Sequence, residues 1–388
     1  MSWIVPENKL DAQQRDFVDN VNINQRNVWI KGFPGSGKSV LLAYTIKKIK
    51  RQSPSASVVV VVFTQSLITM FKSAFREMGV SVNVITYYDF MRSSSRYDYI
   101  LSDEVQDLTP RVLREMNSRG QHVIVSGDEN QSIYPEDPQY RESTVTPSQI
   151  SSLINSREFE LNIIHRLTKS IIDVVNKFLP NMNIFSARRD MTKESTQVRI
   201  CTANSTSEEI RYIMKEAKKA VNNGYTVGIL IPTGKAILSF VNDALISEGK
   251  SPWSATTNRY GKLDFSSLNS HMSRQGVPMQ YVGNGTGEFS ENIRKITVMT
   301  YHSSKGLDFD YVFIPGLNRG MFISYNENLS KTLFMVAMTR SRNNLYLSHS
   351  GTKHEYLNKF SSDCSLIDIH SSLNDTGARI GGGMFGGI

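Results

Sequence analysis

The sequence predicts an α/β protein built as two tandem units of alternating strands and helices, the first a parallel sheet that carries a P-loop. Three observations predict it. Short β-branched runs alternate with helical spacings through the first third of the chain and again through its second half. Val58-Val-Val-Val-Val-Phe63 is apolar at every position, as a strand buried on both faces must be. Gly32-Phe-Pro-Gly-Ser-Gly-Lys-Ser39 fits GxxxxGK[ST] in full, directly after a strand and before a helix. At 388 residues the chain is long for one core, and two domains are the natural division.

In the first unit, Asn27–Lys31, Ser57–Thr64, Tyr97–Ser102 and His122–Ser126 read as strands, with helices at Val40–Lys50 and Leu67–Met78. Tyr134–Ser152 is rich in Pro, Glu, Ser and Thr, shows no period, and reads as a long loop. A helix follows at Thr168–Phe178 and stops at Leu179-Pro180. The alternation resumes with strands at Val198–Cys201, Val227–Ile231, Gln280–Val282, Ile296–Tyr301 and Tyr311–Ile314, and Tyr346–Ser348 closes the set. Ser207–Val221, Ala236–Ile246 and Lys331–Met338 carry helical spacing. The domains divide as 1–155 and 156–375. Residues 376–388 form a flexible glycine-rich tail whose apolar Met384 and Phe385 offer a docking point for a protein partner.

Composition narrows the class. Hydrophobic residues at 39% permit a packed core and argue against wholesale disorder. Lys and Arg number 44 against 36 Asp and Glu, a net +8 that favours a polyanionic partner. Two cysteines, Cys201 and Cys364, are too few for a disulfide framework or a zinc cluster and suit a reducing compartment. No apolar stretch approaches the ~20 residues of a membrane helix, and the N-terminus has no secretory pattern. The expectation is a soluble intracellular protein, cytoplasmic or nucleoid-associated, with no membrane and no zinc.

The P-loop states the chemistry. Gly32, Pro34, Gly35, Ser36 and Gly37 form a loop whose backbone N–H groups can curl around phosphate oxygens at the positive end of a helix. Lys38 can reach the β- and γ-phosphates, and the Ser39 hydroxyl can ligate Mg²⁺. Asp103-Glu-Val-Gln-Asp107 follows an apolar strand, so Asp103 can hold Mg²⁺ through water and Glu104 can orient or deprotonate the attacking water. Gly127-Asp-Glu-Asn-Gln-Ser-Ile-Tyr134 ends the next strand, where Gln131 can sense the γ-phosphate. Together these residues imply hydrolysis of a nucleoside triphosphate with Mg²⁺.

At this point the chain resembles the superfamily 1 helicases of the UvrD/Rep/PcrA branch, in which DExxD and GDxxQSIY are successive strand-end motifs. The resemblance runs over nearly the whole chain. Leu10-Asp-Ala-Gln-Gln14 is similar to the adenine-reading Q motif, with Gln14 in the recognising place. Phe63-Thr-Gln-Ser-Leu67 is similar to motif Ia, and Thr86-Tyr-Tyr-Asp-Phe90 to the segment after it. Leu161–Arg166 is similar to motif IV, Thr300-Tyr-His-Ser-Ser-Lys-Gly-Leu-Asp308 to motif V, and Val336-Ala-Met-Thr-Arg-Ser-Arg342 to motif VI. The resemblance implies two tandem RecA-like domains, with ATP and Mg²⁺ as cofactors. It gives single-stranded DNA and single/double-strand junctions as partners, with 3′→5′ movement. It makes Arg166 and Arg340 γ-phosphate arginines, His165 an adenine-stacking residue, and Gly306 and Asp308 contacts to nucleotide. Phe63, Thr64, Thr300 and His302 take the strand-binding places. Arg166 and Arg340 both stand in the second half of the division above, so both are expected to arrive by domain closure.

Departures from the family pattern shape the reading. His165 replaces the usual tyrosine, and Val40 replaces the arginine after the P-loop serine. Pro135-Glu-Asp-Pro138 replaces an aromatic-Arg-Gly-Ala run, leaving Tyr140 as the stand-in for a base-stacking aromatic. Asp308 replaces glutamate. Thr64 to Asp103 is too short for an inserted domain, and Lys250–Leu263, with Trp253 and Tyr260, is the one clear extra piece. The result is a minimal two-domain motor. An ATP-driven nucleoprotein remodeller, an RNA-directed motor and a small-molecule kinase remain as other readings of the same residues.

Overall fold

The computed structural model describes residues 4–128, 132–137, 140–180, 188–189, 196–258, 261, 263–289 and 293–378. Gln131, Tyr260 and the glycine-rich tail 381–388, all singled out above, lie outside the described residues. The chain forms two compact units, the first holding the chain up to Leu167 and the second most of it from Thr168 onward.

The first unit is built on six parallel strands, β1 (Asn27–Gly32), β2 (Val58–Val62), β3 (Asn83–Thr86), β4 (Tyr97–Ser102), β5 (Gly120–Gly127) and β6 (Ser156–Leu161). Their spatial order is β3-β2-β4-β5-β1-β6. The helices are α1 (Ala12–Asn20), α2 (Lys38–Gln52), α3 (Gln65–Glu77), α4 (Tyr87–Arg92), α5 (Pro110–Arg119) and α6 (Pro147–Ile154). All five valines of β2 are buried, as the unbroken apolar run requires. Alternate residues serve opposite faces: Val28, Ile30, Val60 and Val62 pack with α1 to α3, while Trp29, Val59 and Val61 pack with α5 and α6. Each such buried side chain contributes on the order of 1.5–3 kcal/mol. A threonine closes several strand-to-helix joins: the Thr64, Thr86 and Thr109 hydroxyls each accept the backbone N–H three residues on.

Two features of this unit differ from the sequence reading. The loop expected over Tyr134–Ser152 turns into α6 partway along. Thr146 and Gln149 form a capping box and Pro147 takes the first helical position. The Ser/Thr/Pro content that argued for a loop is the chemistry of a helix start. The strand β6 was not anticipated. It is an edge strand with alternating burial, and its exposed Glu158 and Glu160 hide the strand signal. A two-residue pair, β7 (Ile163–Ile164) with β8 (Arg188–Arg189), completes the unit's strands among the described residues.

The second unit carries β9 (Arg199–Thr202), β10 (Val227–Ile231), β11 (Met279–Tyr281), β12 (Ile296–Thr300), β13 (Phe309–Ile314), β14 (Ser341–His349) and β15 (Ser365–Asp368). They form one sheet in the order β11-β12-β10-β13-β14-β9-β15, parallel throughout. The helices are α7 (Lys169–Phe178), α8 (Thr206–Asn222), α9 (Gly234–Ser247), α10 (Phe265–Arg274), α11 (Glu327–Met338), α12 (Glu355–Asn358) and α13 (Ile369–Ala378). Tyr346–Ser348, read as the closing strand, is the inner part of β14, and β15 closes the sheet instead. Trp253, assigned to an extra piece, is buried in the main core, and its backbone is clasped by the Asn242 amide at 2.8 and 3.1 Å. Among the described residues, no helix is long and apolar enough to cross a membrane. Two parallel-sheet α/β units flanked by helices are the architecture expected of tandem RecA-like domains.

Candidate functional site

The P-loop leaves β1 and enters α2. Gly35 and Gly37 hold φ of 76° and 90°, conformations that side-chain-bearing residues adopt at a cost. Space forbids a side chain as well. A Cβ on Gly35 would lie 2.5 Å from the Arg166 Cβ, and one on Gly37 would collide with the Gln14 amide. The Lys38 ammonium donates to the carbonyls of Gly32 at 2.8 Å and Phe33 at 3.0 Å. That folds a positive charge over the loop whose N–H groups suit an anion.

Parallel pairing sets the carboxylates beside this loop. Because β4, β5 and β1 are neighbours in the sheet, their C-terminal ends share one edge. Asp103 follows β4 and is 1% exposed. It accepts from the Ser39 hydroxyl at 2.5 Å on one oxygen and from the Ser126 hydroxyl at 2.5 Å on the other. Burial and the neighbouring Glu104 push its carboxyl above the ordinary range, against the opposing pull of Ser126, Ser39 and Lys38. Ser39 and Asp103 present two hard oxygens side by side, and Mg²⁺ commonly takes one or two such ligands while phosphates and water complete its shell. The donor set fits that ion.

Glu104 occupies left-handed space at φ 54°, which costs a non-glycine residue about 1–3 kcal/mol. Its carboxylate accepts from the Gln106 side chain at 2.5 Å, and Gln106 in turn accepts the Asp128 N–H at 3.2 Å. A Cβ on Gly127 would strike that Gln106 carbonyl. The two strand-end motifs are therefore locked together through Gln106, a residue the sequence reading passed over. Ser126 was missed too, since nothing in a strand's last serine marks it as a carboxylate partner.

The opposite flank of the loop is closed by the start of α1 and the residues after β7. Asp11 and Gln14 form a capping box on α1, with Gln14 N–H to Asp11 at 2.9 Å and Asp11 N–H to Gln14 at 3.1 Å. The Gln14 amide donates to the Ser36 carbonyl at 3.0 Å. His165 contacts Asp11 at 2.5 Å, and the backbone N–H groups of His165 and Arg166 both reach the Gly35 carbonyl, at 3.0 and 3.2 Å. The Asp-x-x-Gln spacing was visible in the sequence, although the tie to His165 was not. Arg166 corrects an expectation: it belongs to the first unit, on the P-loop itself, and does not arrive with the second.

Other candidates lie in the second unit. Arg340 is 2% exposed and donates to the carbonyls of Val336 (2.9 Å) and Leu307 (3.4 Å) and to the Thr339 hydroxyl (3.1 Å). Gly306 has φ 82° in the turn before β13. Asp308 accepts from Arg342 at 2.7 Å. The Thr300 hydroxyl donates to Ser303 at 2.9 Å and accepts the Ser303 N–H at 3.1 Å, capping the turn that carries His302. Burial and the nearby Lys305 hold the His302 imidazole below its usual range, which favours the neutral ring.

The expected strand contacts of the first unit lie in an aromatic cluster. Phe63 stacks on Tyr87 at 5.1 Å with planes 9° apart and lies 4.5 Å from Tyr134. Tyr140 meets the Tyr87 edge at 6.3 Å, and the Arg111 guanidinium sits over its ring at 5.2 Å. Asp137 accepts the Tyr140 N–H at 2.6 Å and holds the Tyr87 hydroxyl. Thr64 beside this cluster caps α3. The structure thus brings Phe63 and Tyr140 into one group, with Tyr87 as the bridging ring that the sequence reading did not single out.

A model of the UvrD-like helicase C-terminal domain matches residues 277–352, and one of an AAA domain matches residues 14–136. A probable DNA helicase II homolog of Mycoplasma capricolum is 30% identical over 135 residues, covering 33% of this chain and 18% of that protein. The ATP-dependent DNA helicase Rep of Buchnera aphidicola is 38% identical over 68 residues, 16% of this chain and 10% of its own. A putative ATP-dependent DNA helicase of Acanthamoeba polyphaga mimivirus is 23% identical over 326 residues, 76% of this chain and 40% of that protein. The matched stretches thus span well under half of each relative's length.

Proposed function

We propose that the chain is a UvrD/Rep-like helicase of superfamily 1, an ATP-driven motor on DNA, a reading supported by its matches to the UvrD-like helicase C-terminal domain and to helicase relatives. In this reading it hydrolyses ATP with Mg²⁺, moves along a single strand in the 3′→5′ direction and opens single/double-strand junctions. The observation that carries the reading is the convergence of Lys38, Ser39, Asp103, Glu104 and Arg166 around one P-loop.

Each of these side chains has a distinct task. Lys38 exchanges its loop carbonyls for phosphate oxygens and neutralises them. Glu104, held by Gln106, orients the attacking water and accepts its proton. Gln14 and His165 address the adenine, and Arg166 stabilises charge on the γ-phosphate. Ser39 and Asp103 would hold Mg²⁺, which when bound would supply further charge neutralisation. Arg340 belongs to the second unit, so its arrival ties hydrolysis to movement of one unit against the other. Two grips on one strand, alternating with that movement, make translocation.

The test compares ATP turnover without polymer, with single-stranded DNA and with RNA of matched length, followed by unwinding of 3′- and 5′-tailed duplexes. Stimulation by DNA and opening of the 3′-tailed substrate are expected, and RNA stimulation at the DNA level would move the substrate class. Turnover indifferent to both polymers would overturn the reading.

A second reading rests on one observation. Thr64 to Asp103 folds entirely into α3, β3, α4 and β4, with no inserted domain to hold a junction. A remodeller that strips bound proteins from a strand would show DNA-stimulated turnover with little unwinding.

A further inference from the structure

We infer that the loop joining β13 to α11, Pro315–Asn326, is an additional single-strand binding platform on which Tyr325 and Phe322 stack nucleic-acid bases while Arg319 and Lys353 hold the backbone. The inference rests on the reading of the chain as a motor on single strands, and it lies outside the strand-binding residues assigned above. Tyr325 is 99% exposed and Phe322 50% exposed, the two rings meeting edge to face at 4.9 Å. Such a pair adds almost nothing to the core, so folding gives no reason to place it in water.

The loop that presents the rings is nevertheless firmly held. Leu317 N–H donates to the Ser348 carbonyl at 2.9 Å, and the Leu317 carbonyl accepts from His354 at 2.8 Å. Arg319 N–H reaches Thr352 at 2.7 Å, Asn318 bridges to Lys353, and Gly316 N–H donates to the buried Glu209 at 2.8 Å. Ile323, between the two rings in sequence, is buried. Rigid support under exposed aromatics lowers the cost of ordering them on binding. Ring faces accept any base, which suits a motor that must not read sequence.

The charge around the rings matches a polyanion. Arg319 and Lys353 are exposed, brought together by the Arg319–Thr352 bond and the Asn318–Lys353 bridge, and neither meets a carboxylate among the described residues. The acidic group nearest the two rings in sequence, Glu327, is engaged by Lys331 at 3.2 Å and by the Tyr356 hydroxyl at 3.1 Å, while Glu355 stands two residues beyond Lys353. The loop follows the C-terminal end of β13, and Thr300 stands at the C-terminal end of β12. In a parallel sheet both belong to one edge.

The test uses the full chain, a labelled oligo-dT strand and the matched abasic strand, which keeps the phosphates and removes the bases. Tyr325→Ala should weaken binding to oligo-dT by roughly 5- to 150-fold and leave binding to the abasic strand unchanged. Tyr325→Trp should retain the affinity, and turnover without polymer should be unaltered in both variants. Arg319→Ala with Lys353→Ala should flatten the salt slope of log K by ~0.7 for each phosphate no longer neutralised. Equal affinity of Tyr325→Ala and the parent chain for oligo-dT, in a protein whose turnover DNA stimulates, overturns this inference alone. A parent chain that binds neither strand overturns the motor reading along with it. A change in sedimenting mass without a change in oligo-dT affinity overturns the platform in favour of self-association.

Discussion

Asp308 and Arg342 meet at 2.7 Å between the carboxylate and Nε, and the same guanidinium stands 3.9 Å from Asp310. The contact joins the turn containing Gly306 to the start of β14, directly beside Arg340. It spans a register shift in the β13–β14 pairing between Phe309 and Tyr311, where the ladder is interrupted and side chains must fix the geometry. Asp308→Asn should destabilise the protein by about 1–3 kcal/mol, because a largely buried guanidinium loses its charged partner. Chemical denaturation of Asp308→Asn, Arg342→Ala and the double variant checks this. Additive effects would mean the pair is not coupled.

Turnover should depend on Lys38 and Glu104 for different reasons. Lys38→Ala removes phosphate neutralisation, so both ATP affinity and hydrolysis should fall. Glu104→Gln keeps the Gln106 contact and removes the proton acceptor, so ATP should still bind while steady-state hydrolysis drops to near background. Near-normal hydrolysis by Glu104→Gln would defeat the assignment.

Arg340 should show a mixed phenotype. As a transition-state charge its loss should lower kcat by on the order of 10³–10⁵. Its three buried hydrogen bonds to Val336, Leu307 and Thr339 mean that Arg340→Ala should also lower the melting temperature. Arg166 is less buried, so Arg166→Ala should lose turnover with a smaller thermal penalty. Paired melting and single-turnover measurements separate the two. Loss of activity that follows melting temperature in both variants would assign the arginines to structure.

Thr64 and Thr300 cap their following turns, so Thr→Ala at either should cost about 0.5–2 kcal/mol of stability. Thr→Ser should restore the cap. Neither hydroxyl carries full charge, so single-strand affinity should depend on lysines and arginines elsewhere. Roughly 3–5 phosphate contacts give a salt slope of about −2 to −3.5. A salt series on a labelled single strand measures it, and a flat response would contradict the electrostatic picture.

Much of the first sheet was legible because its central strands are apolar on both faces, β2 most plainly. The P-loop and the Asp103-Glu104 pair were legible because each needs specific residue types at fixed spacing. What escaped detection depended on surroundings. An edge strand with charged outward residues looks like a loop until β1 is known to lie beside it, and a helix that starts Thr-Pro looks like a turn until its box closes. Arg166 was assigned to the wrong unit for the same reason. Its place follows from the β1–β6 register, in which Gly32 pairs with Leu161 five residues before it.

That register has a consequence for timing. Arg166 travels with the P-loop, so in the proposed motor its charge would be present from the moment a nucleotide arrives, whereas the charge of Arg340 would come with the second unit. On that reading the two arginines would report separate events, and hydrolysis would require both. A motor arranged in this way behaves as a coincidence detector: it can hold its fuel without consuming it, and it fires when the part that feels the track agrees.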